Sequence, residues 1–514
     1  MSDCEGSPAI CEASITRCEQ AQLGLKEQKD ELSAAATICG SQITGNKEKE
    51  PGASDQQAKS NPVTMPDKYS VDIVVTFKFI PQEPPINPEL PTTYESLPNI
   101  VQGVRDTFAD LSLTPVEHAD TDDAERLVED ALNVVNCRPD GEKLADGYRA
   151  CLQARSIPNQ RLVEAFGLNN AFTTSDFQRA KEFVQAANMK VKTVNMEAWK
   201  VYAEYCLKSA SAKISASGTT VNLADLVQSV TLEISLKFLF NVDENVLKGP
   251  EAKIQIPLIA KGINRLWQAS KKDSTVKWED QGELHGALHI LLDDACDTAD
   301  DPDFSESKNN PMNWILPAYE TMWRVVLRCL IEVRFRGASQ KDEQTWTEAL
   351  TSHVADPSGA ESCDETKLSA KHIAKEALRL YPPTRRIDRK FPDNDTISKA
   401  DIEACHRNPL LAGEEPLIFD PSRWIQIEAQ TEGSSKSKAH EHEQSLGYMP
   451  FGSGNFQCPA DRTDFGWRMI GVLVGTISHS LAGEWTVVGG ELPPPGEALN
   501  SGRESCLDLV LKKV

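Results

Sequence analysis

The sequence predicts a mainly helical fold with minor β structure. Long segments repeat apolar residues at helical spacing, while strand-like pieces are few, short and mostly gathered late in the chain. With 514 residues, 40% of them hydrophobic and 25% charged, the chain is long enough to bury a large core. Its net charge of −23 argues against nucleic acid as the main partner, because phosphate binding needs a basic face. Thirteen cysteines, an odd number and mostly far apart, follow an opening without a signal-peptide pattern. They read as reduced thiols inside a cell. No run of 18 or more apolar residues occurs, so no spanning helix is expected.

The elements follow in order. Residues 1–66 are rich in Glu, Ser, Ala, Gln and Lys and read as a disordered polar tail, with one folded domain over 67–514. Cys4, Cys11 and Cys18 lack the Cys-x-x-Cys pairs that zinc favours, so chance placement outweighs a metal site. Val71 to Ile80 reads as a strand. Thr174 to Val191 has helical spacing, with Ser175 and Asp176 as candidate caps, and Leu223 to Val242 is a long apolar helix. Gln281 to Cys296 is another helix. Its His285 and His289 stand four apart near Glu283, and an ordinary surface or packed pair is favoured over metal ligands.

Met312 to Phe335 is the longest apolar helix candidate. Pro317 inside it costs about 3 kcal/mol in a regular helix, so something there kinks or opens it. Asp364 to Leu380 is a further helix, ended by Tyr381 and two prolines. Short strand-like pieces follow, then a polar loop from Thr431 to Gln444, a glycine-rich loop with one cysteine, and a last helix to about Leu481. The final 30 residues alternate and turn like hairpins.

Three stretches carry the chemistry. In "KEALRLYPPTRR", Glu376 and Arg379 stand three apart, which puts carboxylate and guanidinium on one helix face. Alone this is weak, because surface pairs of that kind are common. "FDPSRW" supplies Arg423. "FGSGNFQCPA" supplies Cys458 on a loop before a helix, and a structural buried cysteine is the simpler reading of that loop in isolation.

Together and in this order, the stretches resemble the cytochrome P-450 superfamily of haem-thiolate monooxygenases. Glu376 and Arg379 match its Glu-x-x-Arg motif, and "DPSRW" its Pro-x-Arg motif. Phe451, Gly452, Gly454, Cys458 and Ala460 match its haem loop. Ala318-Tyr319-Glu320-Thr321 matches its central-helix motif, and "DIEACHRNP" from Asp401 to Pro409 resembles the stretch before the Pro-x-Arg motif. The resemblance covers about residues 310–481 and is loose over 160–300. It implies the family's fold, with a long central helix over a haem and small β-sheets.

The resemblance also implies roles. Cys458 is the axial thiolate on iron, and the glycines Gly452 and Gly454, with Phe451, let the backbone run close to the porphyrin. Glu376, Arg379 and Arg423 form a buried ion network. Thr321 and Glu320 deliver protons to bound oxygen, and Arg389, or else Arg386, meets a haem propionate. Electrons come from NADPH through a flavoprotein reductase, and the substrate is a small apolar organic molecule. The motif wording looks most like filamentous-fungal members, many of which act in secondary metabolism. The expected location is cytoplasmic, or peripheral to the endoplasmic reticulum.

Departures leave two rivals open. Phe456 replaces the basic residue usual two before the cysteine, so one propionate contact is missing or moved. Ala203 stands where a Trp-x-x-x-Arg motif starting at Trp199 needs arginine, and the stretch from Tyr381 to Asp401 looks short. One rival is a reductase-independent haem-thiolate isomerase, dehydratase or peroxide-user. The other is a degenerate relative acting as an interaction protein.

Overall fold

Pro317 decides the shape of the central helix. It has no N–H to give, so the helix widens to π spacing over Leu316–Glu320, between Met312–Ile315 and Thr321–Phe335. The expected opening is therefore a π-turn, and it falls on the motif residues Ala318 to Glu320. The computed structural model describes residues 121–142, 144, 147–272, 275–292, 307, 309–337, 339–357, 367–392 and 395–514. All lie within one compact unit, Arg105–Val514. The predicted tail, Cys4, Cys11, Cys18 and the Val71 to Ile80 strand lie outside the described residues.

The helices used below are α1 (Thr121–Val135), α2 (Gly147–Ser156), α3 (Phe177–Lys192), α4 (Met196–Ser217), α5 (Leu223–Phe240), α6 (Pro250–Lys272), α7 (Thr321–Phe335), α8 (Gln340–Ala355), α9 (Ala370–Leu380), α10 (Lys436–Ser445), α11 (Pro459–Arg462) and α12 (Phe465–Ser480). Side-chain caps start them where the sequence offers one. The Asp176 carboxylate accepts from Arg179 N–H (2.6 Å), and the Asn222 amide oxygen accepts from Asp225 N–H (2.8 Å). α12 is buried along nearly its whole length and packs on α4, α7, α8 and α9, so it is the hub of the helical layer. α5 is buried too. Its Glu233 is kept there by Tyr205 Oη (3.1 Å), Ser209 Oγ (2.5 Å) and Lys213 Nζ (2.7 Å), which answers the cost of a buried carboxylate.

The β structure is minor, as expected. β1 (Thr220–Asn222), β4 (Trp485–Gly489) and β5 (Val510–Lys513) make an antiparallel sheet with β5 central. β2 (Arg386–Arg389) and β3 (Ser398–Asp401) pair antiparallel, Arg389 opposite Ser398. β4 and β5 are not joined by a tight hairpin. The irregular segment between them is pinned by central-helix arginines. Arg336 donates to the carbonyls of Pro493 (3.0 Å), Pro494 (2.6 Å) and Glu497 (2.5 Å). Arg328 donates to those of Asn500 (2.9 Å) and Gly502 (2.6 Å).

One expected loop is a helix. Within Thr431 to Gln444, α10 starts behind Ser435, whose hydroxyl accepts from Lys438 N–H (3.4 Å). It is polar all round, so it shows no hydrophobic period. Tertiary contact holds it instead, through a buried bridge from Glu443 to Lys375 on α9 (2.6 Å). Of the pair near Glu283, His285 lies against Trp278, ring centres 4.3 Å apart, and Glu283 faces Arg265 at 3.7 Å. Among the described residues no cluster of His, Cys, Asp and Glu could hold a metal ion, and no helix is long and apolar enough to cross a membrane.

His406 carries the position of α9 to the cysteine loop. It is fully buried, with Nδ1–H donating to Arg379 C=O (3.1 Å) and Nε2 accepting from Met449 N–H (3.0 Å). A second proton on Nε2 would face that N–H. Burial pulls its pKa down to about 3. The unfolded chain takes up a proton below the ordinary histidine value of about 6.5 that the folded chain refuses. Stability from His406 is therefore complete above about pH 6.5 and falls as pH drops toward 3, by about 1.4 kcal/mol per unit. His406→Asn, which cannot titrate, is expected to lose less stability between pH 6 and pH 4 than the parent, measured by urea unfolding at each pH.

Candidate functional site

The predicted ion network forms around one carboxylate. Glu376 is wholly buried on α9. Its Oε2 accepts from Arg379 Nε (2.9 Å) and Trp424 Nε1 (3.0 Å). Its Oε1 accepts from Arg379 Nη2 (2.7 Å), Arg423 Nε (3.0 Å) and the Asp420 N–H (3.0 Å). The remaining guanidinium protons of Arg379 go to the carbonyls of His406, Pro416 and Ile418. Arg423 also donates to Ala412 C=O (2.6 Å). Trp424, which sequence reasoning passed over, sits in the quoted "FDPSRW" and is as buried as the charges it serves.

The cysteine loop follows from its glycines. Gly452 has φ +73° and Gly454 φ +57°, both left-handed, and a Cβ on Gly454 would also press on the Asn136 side-chain oxygen, so a larger residue there is strained. The turn brings Cys458 N–H back to Phe451 C=O (2.9 Å). Cys458 then stands at the N-cap of α11, where its carbonyl accepts from Asp461 N–H (3.1 Å) and the Ala460 and Asp461 N–H groups favour its thiolate. Burial pushes the thiol up to about 11 against the pull of those two groups. A metal ion at the sulfur reverses that balance, because coordination deprotonates a thiol.

Phe456 is a fitted part of this loop. Its ring stacks on Tyr148 of α2 at 5.6 Å and lies under the guanidinium groups of Arg155 (4.6 Å) and Arg389 (5.4 Å). Arg389 thus lies beside the cysteine loop, over the Phe456 ring. Arg386 is exposed and paired with Asp401 at 3.2 Å. Arg155, at the end of α2, is the residue that sequence reasoning missed. Nothing in "ACLQAR" distinguishes it from a surface arginine. Among the described residues neither Arg155 nor Arg389 pairs with a carboxylate. Arg389 is buried and its Nε has no hydrogen-bond partner. Burial, then the nearby Arg389, pull Arg155 down to about 9. Two adjacent cations with an unfilled donor, beside a cysteine loop, fit a group that brings carboxylates and a metal. The haem implied by the resemblance is such a group.

Thr321 and Glu320 lie on the central helix. The Thr321 hydroxyl donates to Pro317 C=O (2.8 Å), inside the π-turn. Glu320 is buried and accepts from Trp323 Nε1 (3.2 Å), with Arg324 Nε at 3.3 Å and Arg503 in direct contact. Arg503 comes from the C-terminal segment and also lies 3.7 Å over the Trp267 ring. The central helix and the cysteine loop share one aromatic cluster. Trp314 and Phe456 both pack on Leu152, Ala171, Ala180 and Phe183.

No family model matches the chain. It is 31% identical over 130 residues to cytochrome P-450 93B2 of Gerbera hybrida, over 23% of this chain and 24% of that one. It is 27% identical over 131 residues to cytochrome P-450 705A1 of Arabidopsis thaliana, over 23% of each. It is 36% identical over 95 residues to cytochrome P-450 4A14 of Rattus norvegicus, over 16% of each. The matches thus span about a quarter or less of these relatives' length. Among solved structures, the haem domain of a cytochrome P-450DA mutant aligns at a TM-score of 0.45 and 16% identity, over 70% of this chain and 82% of that one. The sequence relatives support the superfamily that the motifs resemble.

Two outcomes test the site. Glu376→Leu strands the buried Arg379 without its countercharge and is expected to cost about 3–5 kcal/mol in urea unfolding. Phe456→Arg sets a third cation beside Arg155 and Arg389 and is expected to destabilise by about 1–3 kcal/mol, while Phe456→Leu costs less.

Proposed function

We propose that the chain is a haem-thiolate monooxygenase that inserts one oxygen atom from dioxygen into a small apolar organic substrate. One observation carries this reading: the glycine-built loop presents Cys458 beside Arg155 and Arg389, two cations without a carboxylate partner among the described residues. Cys458 Sγ would hold the iron, and the two arginines the propionates. When bound, haem supplies dioxygen activation, which an axial thiolate favours by electron donation.

The chain's own residues do the rest. The Ala460 and Asp461 N–H groups share the charge on the Cys458 sulfur. The network around Glu376 fixes the loop from behind. The Thr321 hydroxyl, held by Pro317 C=O, is a donor that can turn to pass a proton at its Oγ1. Glu320 is the acid behind it, and its use as a proton carrier requires its ion pairs with Arg503 and Arg324 to open. Electrons reach the site from NADPH through a flavoprotein reductase. The motif wording supports a place among filamentous-fungal members and in secondary metabolism. A cytoplasmic or peripherally bound location belongs to the same reading; among the described residues no helix is long and apolar enough to span a bilayer.

The test is the difference spectrum of the reduced, carbon monoxide-bound protein. The purified chain is expected to show a red-shifted Soret band, and Cys458→His to lose it, because that band depends on thiolate donation. A haem-loaded chain whose spectrum is the same in Cys458→His sinks the reading.

A further inference from the structure

Two thiols meet below the Phe456 ring, and the proposed activity uses neither. α1 ends in a Schellman turn. The Arg138 N–H donates to Asn133 C=O (2.7 Å) and the Cys137 N–H to Val134 C=O (3.2 Å). Cys137 takes the left-handed position of that turn, at φ +54°. Glycine is the ordinary occupant there, because a Cβ is disfavoured. A cysteine at this position gives up backbone comfort to place a thiol.

That thiol points at α2. Cys137 Sγ lies 3.9 Å from the Cys151 carbonyl oxygen, to which its thiol donates, and the two side chains share one small buried cluster. Both cysteines are free and buried, in a small cluster with Ala154 and Phe391 against which Phe456 packs. Arg389 and Arg155 set a positive field around them. The Cys137 thiol is drawn down to about 6. Its bond with Cys151 contributes most to this, and the two arginines add to it, against the effect of burial. The Cys151 thiol is pushed up by the same contact and by burial. The other buried thiols behave oppositely. Burial, with a nearby carboxylate, pushes up Cys206, Cys329 and Cys405. A thiolate beside a protonated partner in an electropositive setting has the charge arrangement of an attacking and a resolving cysteine, and because both are buried, peroxide reaches them through local opening at the end of α1.

We propose that Cys137 and Cys151 are a redox pair that closes into a disulfide on meeting hydrogen peroxide. The Cys137 thiolate attacks one peroxide oxygen and the O–O bond breaks. Hydroxide leaves and takes up a proton as water, and Cys137 becomes a sulfenic acid. The Cys151 sulfur then attacks the Cys137 sulfur, the S–O bond breaks, and the Cys151 proton leaves with that oxygen as a second water. Two thiols are oxidised by two electrons, and one peroxide is reduced to two waters. Closure ties the end of α1 to α2 and removes the thiolate that faces Arg389, the arginine under which the Phe456 ring lies. The inference is independent of the haem reading.

The experiment uses the full chain. It is treated with hydrogen peroxide and quenched with catalase. Free thiols are then alkylated in denaturant, and the chain is digested without reductant and mapped by mass spectrometry. The expected product is a peptide pair joined between Cys137 and Cys151, two hydrogens lighter than the sum and reversed by dithiothreitol. In Cys151→Ser the link is lost, and dimedone traps Cys137 as the sulfenic acid. Recovery of Cys137 and Cys151 as alkylated thiols, under conditions that oxidise Cys458 or Cys506, overturns the proposal. So does linkage of Cys137 to several other cysteines in comparable yield. The map of the unaltered chain decides between these outcomes even if a variant misfolds.

Discussion

The cysteine loop depends on the Glu376 carboxylate. A carboxylate removed from water costs several kcal/mol unless its lone pairs are filled, and Glu376 fills them with arginine, tryptophan and backbone donors. The donors come from two pieces of chain. Arg379 shares α9 with it, while Asp420, Arg423 and Trp424 bring the segment that follows β3. Through His406 the same framework reaches Met449, two residues before the loop begins. The loop is thus positioned by a chain of hydrogen bonds centred on a fully buried carboxylate and a fully buried imidazole. Moving any link strands a buried polar group.

The other side of the molecule uses cations instead. Arg324, Arg328 and Arg336 succeed one another along one face of the central helix at spacings of four and eight. They donate to the backbone of Pro383 and of the segment between β4 and β5. That segment has no ladder of its own, so its carbonyls would be orphaned on burial without these guanidinium groups. The exchange is reciprocal: Arg503 from the segment reaches back to Glu320 on the helix. The π-turn at Pro317 belongs to the same arrangement, since Glu320 closes that turn and Thr321 follows it.

Much of this was legible in the sequence, and the reason is local. Asp176 and Asn222 cap helices because short polar side chains reach an N–H two or three residues on. Of these, Asp176 was readable before any contact was known. Pro317 announced an interruption, and Glu376, Arg379 and Arg423 announced a network, because spacing on one helix and a flanking motif carry both. α10 was hidden, because a helix polar on every side has no period to find and is held by Lys375 from another helix. Arg155 was hidden for a related reason. Its partners, Phe456 and Arg389, lie hundreds of residues away, and only folding makes it differ from any other arginine.

Arg155 also accounts for the loop's most conspicuous departure. A loop of this kind ordinarily carries a cation two residues before the cysteine, and this chain carries Phe456. The positive charge has not been lost; α2 supplies it from the side. With Arg155 and Arg389 already converging, a third cation would add repulsion in a buried place, where each arginine has no carboxylate to share among the described residues. An aromatic ring is the economical occupant. It attracts both guanidinium groups at 4.6 and 5.4 Å and stacks on Tyr148. The ring on the loop, the arginine on α2 and Arg389 on β2 thus form one packed arrangement.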